Sequence, residues 1–96
     1  MQLAKVVGSV VSTRKADRLS GFKLLLTRVI DLDTMEEKGT PIISVDTVGA
    51  GEGEIVLLVS GSSSRQTPET DKKPVDSTVV GIVDNVDLLG KRVFTK

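Results

Sequence analysis

The chain has 96 residues, 39% of them apolar and 27% charged, which fits one globular domain over residues 1–96. Its formal net charge is zero and its only aromatic residues are Phe22 and Phe94, which argues against a dedicated nucleic-acid-binding protein. It contains neither Cys nor His, and this excludes disulfides, thiol nucleophiles, Ser-His-Asp triads and most zinc sites.

The charges are unevenly distributed along the chain. Residues 1–28 hold six bases and one acid, residues 29–60 hold one base and seven acids, and residues 61–96 hold six bases and five acids. The basic and acidic parts either meet between copies of the chain or form neighbouring solvated faces. The first charge, at Lys5, precedes any signal-like apolar core, and no run reaches membrane-spanning length. We therefore expect a cytoplasmic protein with no membrane partner.

Apolar, β-branched runs separated by Gly, Pro and charged residues predict an all-β chain. Five strands and a short sixth are predicted in chain order: residues 3–13, 22–32, 42–48, 55–59, 77–86 and 90–96. The acidic loop 33–41 allows at most one short helical turn. Gly8 and Gly81 fall inside strands, where glycine typically marks a bulge or a sharp bend. Together these features predict a small closed β-barrel of five to six strands.

Two of the predicted strands, 22–32 and 55–59, carry apolar residues on both faces. An antiparallel barrel in water normally has one apolar and one polar face, and the chain offers no long amphipathic helix as a cover. Self-association is the simpler interpretation. The alternative is that the outer apolar residues are β-formers on a tolerant surface.

No cluster of residues has the pattern of a catalytic or ligand site. The carboxylates of residues 31–37 lie in a solvated loop, and residues 31–36 lack the oxygen ligand and the glycine that a calcium loop needs at its fifth and sixth positions. The glycines of residues 49–51 lack the lysine of a phosphate loop, and Glu52 and Glu54 would repel a phosphate. We expect no catalytic residue, no metal and no cofactor.

Two segments give the chain a specific signature: residues 46–54 read DTVGAGEGE, and residues 61–65 read GSSSR. Further positions of the same pattern are Gly8, Val10, Ser12, Thr13, Lys15, Leu19, Gly21, Lys23, Leu24, Leu25, Val45, Val56, Leu57, Pro74, Val75, Asp76, Gly81, Ile82, Val83 and Asp84. The pattern covers almost the whole chain and resembles the EutN/CcmL family, the small vertex proteins of bacterial microcompartment shells. Ser64 stands where that family usually has Ala.

The resemblance implies an OB-like barrel that assembles into cyclic rings, usually pentamers, at the vertices of a polyhedral shell. The implied partners are further copies of the chain and the hexameric shell proteins around the vertex, and the implied location is the microcompartment shell. A ring uses head-to-tail contacts, so two different patches of each subunit must match. The number of subunits and the type of microcompartment are not encoded in the sequence pattern.

The small residues of the glycine-rich segment are expected near the ring axis, where several copies crowd together: Val48, Gly49, Ala50 and Gly51. The remaining residues of the two segments are expected at the subunit interface: Asp46, Thr47, Gly53, Glu54, Gly61, Ser62, Ser63 and Arg65. We expect Arg65 to contact a carboxylate of a neighbouring subunit, such as Asp46 or Glu54.

The predicted function is therefore structural rather than enzymatic. The alternative is an OB-like barrel that binds single-stranded nucleic acid, which salt-dependent oligonucleotide binding would support. A third interpretation, an enzyme using carboxylates or a lysine, would require a deep pocket with a carboxylate of raised pKa.

Overall fold

The computed structural model describes residues 1–12, 22–61 and 76–96. These residues form seven strands and no α-helix: β1 (Gln2–Val10), β2 (Lys23–Val29), β3 (Ile42–Asp46), β4 (Ile55–Ser60), β5 (Ser77–Ile82), β6 (Asn85–Leu88) and β7 (Lys91–Thr95). No helix in the described part of the chain is long and apolar enough to cross a membrane.

The first five strands close into a barrel in the order β1-β2-β3-β5-β4, with β4 pairing back onto β1. Strands β3 and β5 run parallel, and all other neighbours in the barrel are antiparallel. The all-β closed barrel predicted from the sequence is confirmed. The single strand predicted over 77–86 is in fact two. The amide of Val83 donates to the carbonyl of Ile55, the first residue of β4, and beyond this bond the chain leaves the barrel.

The barrel interior is filled by alternate residues of the strands, as expected for a period of two. The core cluster contains Ala4, Val6, Leu25, Ala50, Val56, Leu58 and Val79, all nearly or fully inaccessible to solvent. Small and medium aliphatic side chains fit the narrow interior of a five-stranded barrel.

The pairing shifts register beside the two glycines inside strands. One irregularity lies between Val6 and Gly8, and another lies in β4 opposite Gly81. A Cβ on Gly8 would come within 3.3 Å of Leu26 Cδ1, and one on Gly81 within 3.1 Å of Leu57 Cδ1. Both glycines allow the neighbouring leucine to lie across the strand where the barrel bends.

The strand directions define two ends of the barrel. At one end, called the glycine-loop end, β3 finishes and β4 starts, joined by residues 47–54. At the other, called the N-terminal end, β1 starts while β2 and β4 finish, since Ala4 pairs with Val29 and Gln2 with Leu58.

Strands β6 and β7 form a separate antiparallel hairpin with a two-residue turn, Leu89 and Gly90. The hairpin follows β5 and therefore leaves the barrel from the glycine-loop end. The described part of the molecule measures 45 × 23 × 21 Å along its principal axes.

Candidate subunit interface

The glycine loop, residues 47–54, is held in a fixed shape by the side chain that precedes it. Asp46 is only 7% exposed, and its Oδ1 accepts hydrogen bonds from the backbone amides of Val48 (3.0 Å) and Gly49 (3.1 Å). An aspartate that caps the amides following it forms an Asx turn. Gly49 has φ +77°, which favours glycine at this position.

Thr47 ties the start of the loop to the neighbouring strand. Both its amide (3.3 Å) and its hydroxyl (2.8 Å) donate to the carbonyl of Val79 in β5. The hydrogen bond of the Thr47 amide continues the β3–β5 pairing beyond the last paired residues of the two strands.

Ala50 closes the end of the barrel. Its side chain is fully buried within the core cluster, and its carbonyl accepts a hydrogen bond from Lys23 Nζ at 2.9 Å. Because this methyl group packs inside its own barrel, the surface that the loop presents consists of its exposed residues, Val48, Gly49, Glu52 and Gly53. The placement of residues 48–51 near a ring axis stays a prediction.

Glu54 closes the loop at its other end. Its Oε1 accepts from the amide of Gly51 at 2.6 Å, and its Oε2 forms an ion pair with Lys96 Nζ at 2.9 Å. The Lys96 ammonium, followed by the Gly51 amide, lowers the pKa of Glu54, because both stabilise the charged carboxylate. The same contact raises the pKa of Lys96.

Backbone bonds join this part of the loop to β1. The amide of Val6 donates to the Glu54 carbonyl at 2.9 Å, and the amide of Gly53 donates to the Val6 carbonyl at 2.8 Å. The loop is thus tied to β1, β2, β5 and the C-terminal residue, and it presents a preformed surface.

The predicted interface residues divide between the two barrel ends. Residues 46–54 lie together at the glycine-loop end, whereas Gly61 follows β4 at the N-terminal end, where its amide donates to the Asp76 carbonyl at 2.8 Å. Ser62, Ser63 and Arg65 lie outside the described residues. The carboxylates of Asp46 and Glu54 already have partners in their own chain, and their pairing with Arg65 of a neighbour stays a prediction.

The outer face of β2 and β3 carries apolar side chains. Ile43 in β3 is 54% exposed, and it pairs with Leu26, which is half-buried like Leu24 on the outer side of β2. Ile42, on the opposite face of β3, is 38% exposed, and so is Val48 in the glycine loop. The second apolar face expected for the predicted strand 22–32 is therefore present. An exposed apolar face of this kind suits contact with another molecule.

Leu32 and Leu89 are further exposed apolar residues. Leu32 was predicted to end the strand 22–32, but β2 ends at Val29, and Leu32 is 50% exposed. Leu89 is 95% exposed in the hairpin turn. The available signal for Leu89 was a leucine directly before a glycine in a turn, where polar residues are usual.

The chain matches known proteins over most of its length. A sequence model of the family described as "Ethanolamine utilisation protein EutN/carboxysome" matches residues 1–84. The chain is 48% identical to the bacterial microcompartment shell vertex protein GrpN of Rhodospirillum rubrum, over 91% of this chain and 97% of GrpN. It is 46% identical to the shell vertex protein EutN of Salmonella typhimurium, over 100% of this chain and 96% of EutN.

A solved structure has the same fold. The GrpN pentameric microcompartment shell protein from Rhodospirillum rubrum superposes with a TM-score of 0.83 and 46% sequence identity, covering 93% of this chain and 100% of that chain. These matches give no support to the nucleic-acid-binding alternative.

Proposed function

Because this chain belongs to the EutN/CcmL family, we propose that five copies form a ring that closes a vertex of a bacterial microcompartment shell. The chain is a structural shell protein, as its curated relatives are, and not an enzyme. Its place is the shell of a microcompartment.

The similarity to the pentameric GrpN structure carries this proposal, at 46% identity over 93% of the chain. A fivefold ring has a geometric role in a shell, because a lattice of hexamers alone stays flat. Replacing a hexamer by a pentamer introduces the curvature that closes the lattice into a polyhedron.

The surface of the chain suits a cyclic assembly. A ring requires two different patches that match each other head to tail. The outer face of β2 and β3, where Ile43 is the most exposed apolar residue, and the preformed glycine loop with Val48 both offer apolar side chains, and we place them in the contact between neighbouring subunits. Within the loop, the exposed Val48 and Gly49 are the residues we assign to the ring axis.

The outer rim of the ring would contact the hexameric shell proteins around the vertex. This proposal is tested by producing the hexameric shell protein with and without the chain and examining the products by electron microscopy. We expect closed polyhedral shells only when the chain is present, and sheets or tubes without it. Equal numbers of closed shells in both preparations would contradict the vertex role.

A further inference from the structure

Leu89 occupies a position that is unfavourable for leucine in two respects. Leu89 and Gly90 have φ +52° and +79°, and they form the two-residue turn between β6 and β7. Turns with positive φ at both central residues strongly favour Asn, Asp or Gly at the first of them. The side chain is also 95% exposed. Within one subunit, a leucine here therefore has an unfavourable backbone conformation and gains nothing from burial.

The hairpin that carries Leu89 has little support from its own barrel. Among the described residues, no barrel strand packs extensively along β6 or β7, and the C-terminal end of the hairpin is tied by the Lys96–Glu54 ion pair. Val93 is 38% exposed as well. An isolated two-stranded hairpin is marginally stable in water, so this arm gains most from a surface outside its own subunit.

A matching concave surface lies at the N-terminal end of the barrel. A cleft of about 340 Å³ is lined by the apolar side chains of Met1, Leu3, Ile30 and Leu32 among its lining residues. Ile30 is nearly buried, whereas Leu32 is half exposed and Met1 mostly exposed. The cleft therefore combines accessible apolar side chains with polar and charged ones, and it has room for a large aliphatic side chain.

The charges near the two surfaces are complementary. Lys91 and Arg92 follow the hairpin turn directly, and Arg92 pairs with Asp87 of the same hairpin. Residues 31–38, which contribute to the cleft, carry four carboxylates and one lysine, and one of the carboxylates, Glu37, already forms ion pairs within its own subunit. Within the cleft lining itself, Asp31 and Asp33 accompany Lys38. The approach of Lys91 to the carboxylates of Asp31 and Asp33 is therefore electrostatically favourable.

The topology makes the contact intermolecular. The hairpin leaves from the glycine-loop end, and the cleft is at the opposite end of the barrel. The two surfaces differ and lie at opposite ends, as a head-to-tail ring requires. We infer that Leu89 at the hairpin tip of one copy inserts into the Met1–Leu3–Ile30–Leu32 cleft of the next copy. This inference rests on the proposed ring and assigns two of the surfaces that build it.

The replacement Leu89→Asn separates the contact from the fold of the hairpin. Asn before Gly is the preferred pair for this turn, so the subunit keeps its hairpin while the apolar anchor is lost. Burial of a leucine side chain in the contact favours association. Native mass spectrometry over a dilution series should therefore show that ring dissociation begins at a concentration about tenfold or more higher than in the wild type.

The control for this variant is Val11→Asn, which alters an equally exposed apolar residue (90%) at the same end of the barrel. It should dissociate like the wild type. If the wild type is pentameric and Leu89→Asn dissociates at an unchanged concentration, the insertion is wrong while the proposed function stands. If the wild type is monomeric, the proposed ring itself fails.

The absence of cysteine from the chain allows a direct proximity test. Leu89→Cys and Leu32→Cys subunits are prepared separately, mixed under conditions that allow subunit exchange, and treated with a short bis-maleimide. Covalent dimers should form in the mixture and stay at background in either variant alone, while Val11→Cys mixed with Leu32→Cys is the matched control. Equal yields from the Leu89 and Val11 mixtures would overturn the insertion.

Discussion

Ser44 is the central member of a row of three buried hydroxyls inside the barrel. Its Oγ lies 2.9 Å from Thr27 Oγ1 and 2.8 Å from Ser77 Oγ, and Thr27 Oγ1 also donates to the Ile42 carbonyl at 3.2 Å. The row connects β2, β3 and β5 across the interior, where an unpaired hydroxyl would be costly.

We predict that Ser44→Ala lowers the free energy of unfolding by about 1–3 kcal/mol, because both neighbouring hydroxyls lose a partner in a buried site. Urea denaturation measures this change. Ser9→Ala, at an exposed position of β1, is the matched control and should change stability by less than about 0.5 kcal/mol. If both replacements changed the free energy of unfolding by the same amount, the hydroxyl row would make no contribution to stability.

Glu54 gives the glycine loop a pH dependence with a defined sign. Its pKa is lowered from the ordinary value of 4.5, so its stabilisation is fully present above pH 4.5 and is lost as the pH falls through the lowered value. The pKa of Lys96 is raised from 10.5, so its contribution is lost only as the pH rises above that value.

We therefore expect Glu54→Gln to be less stable than the wild type at neutral pH, with a difference that shrinks as the pH falls below 4.5. Urea denaturation from pH 7 to pH 3 at one fixed protein concentration provides the test. A difference that stays constant over this range would contradict the ion-pair assignment.

The three glycines of the glycine loop differ in backbone conformation. Gly49 and Gly53 have φ +77° and +91°, so other residues are strained there. Gly51 has no such φ, and an added Cβ would be 3.5 Å from the nearest Glu54 oxygen, an ordinary contact. Gly51 is thus the position at which bulk can be added with the least cost to the subunit.

We predict that Gly51→Leu leaves the barrel folded but weakens or distorts the ring, because the added side chain crowds the contacts of the loop with other copies. Gly49→Leu is the comparison, and its backbone strain should lower subunit stability by about 1–2 kcal/mol. Circular dichroism with thermal melting reports the fold, and native mass spectrometry reports the ring. An unchanged ring mass and dissociation concentration for Gly51→Leu would exclude the loop from the assembly contacts.

The strands of the barrel were predictable because runs such as 42–48 and 55–59 are apolar, β-branched and bounded by Gly and charged residues. The order of the strands around the barrel and the parallel pairing of β3 with β5 could not be predicted, because pairing between strands that are distant in sequence leaves no local periodicity. The boundary at Ile82 was missed because Val86 and Leu88 continue the apolar pattern into the hairpin.

The candidate site was only partly predictable for a similar reason. The glycine segment stood out by composition, but a small residue between two glycines reads as part of a turn, and nothing local shows that Ala50 belongs to the core. Likewise, the role of Asp46 as a cap of its own loop depends on a backbone bend that residue types alone do not specify.

At the scale of the whole molecule, the two ends of the barrel have different characters. The glycine loop and the hairpin occupy one end, and the cleft with its acidic segment occupies the other. Unlike ends of this kind suit head-to-tail association, which closes into a ring when the rotation between neighbours divides a full turn. The fivefold ring is the central claim of this account.

Native mass spectrometry of the purified wild-type protein at moderate ionic strength tests that claim most directly. We expect a complex of five copies as the main species. A hexamer, or a monomer that persists at the same protein concentration, would contradict it.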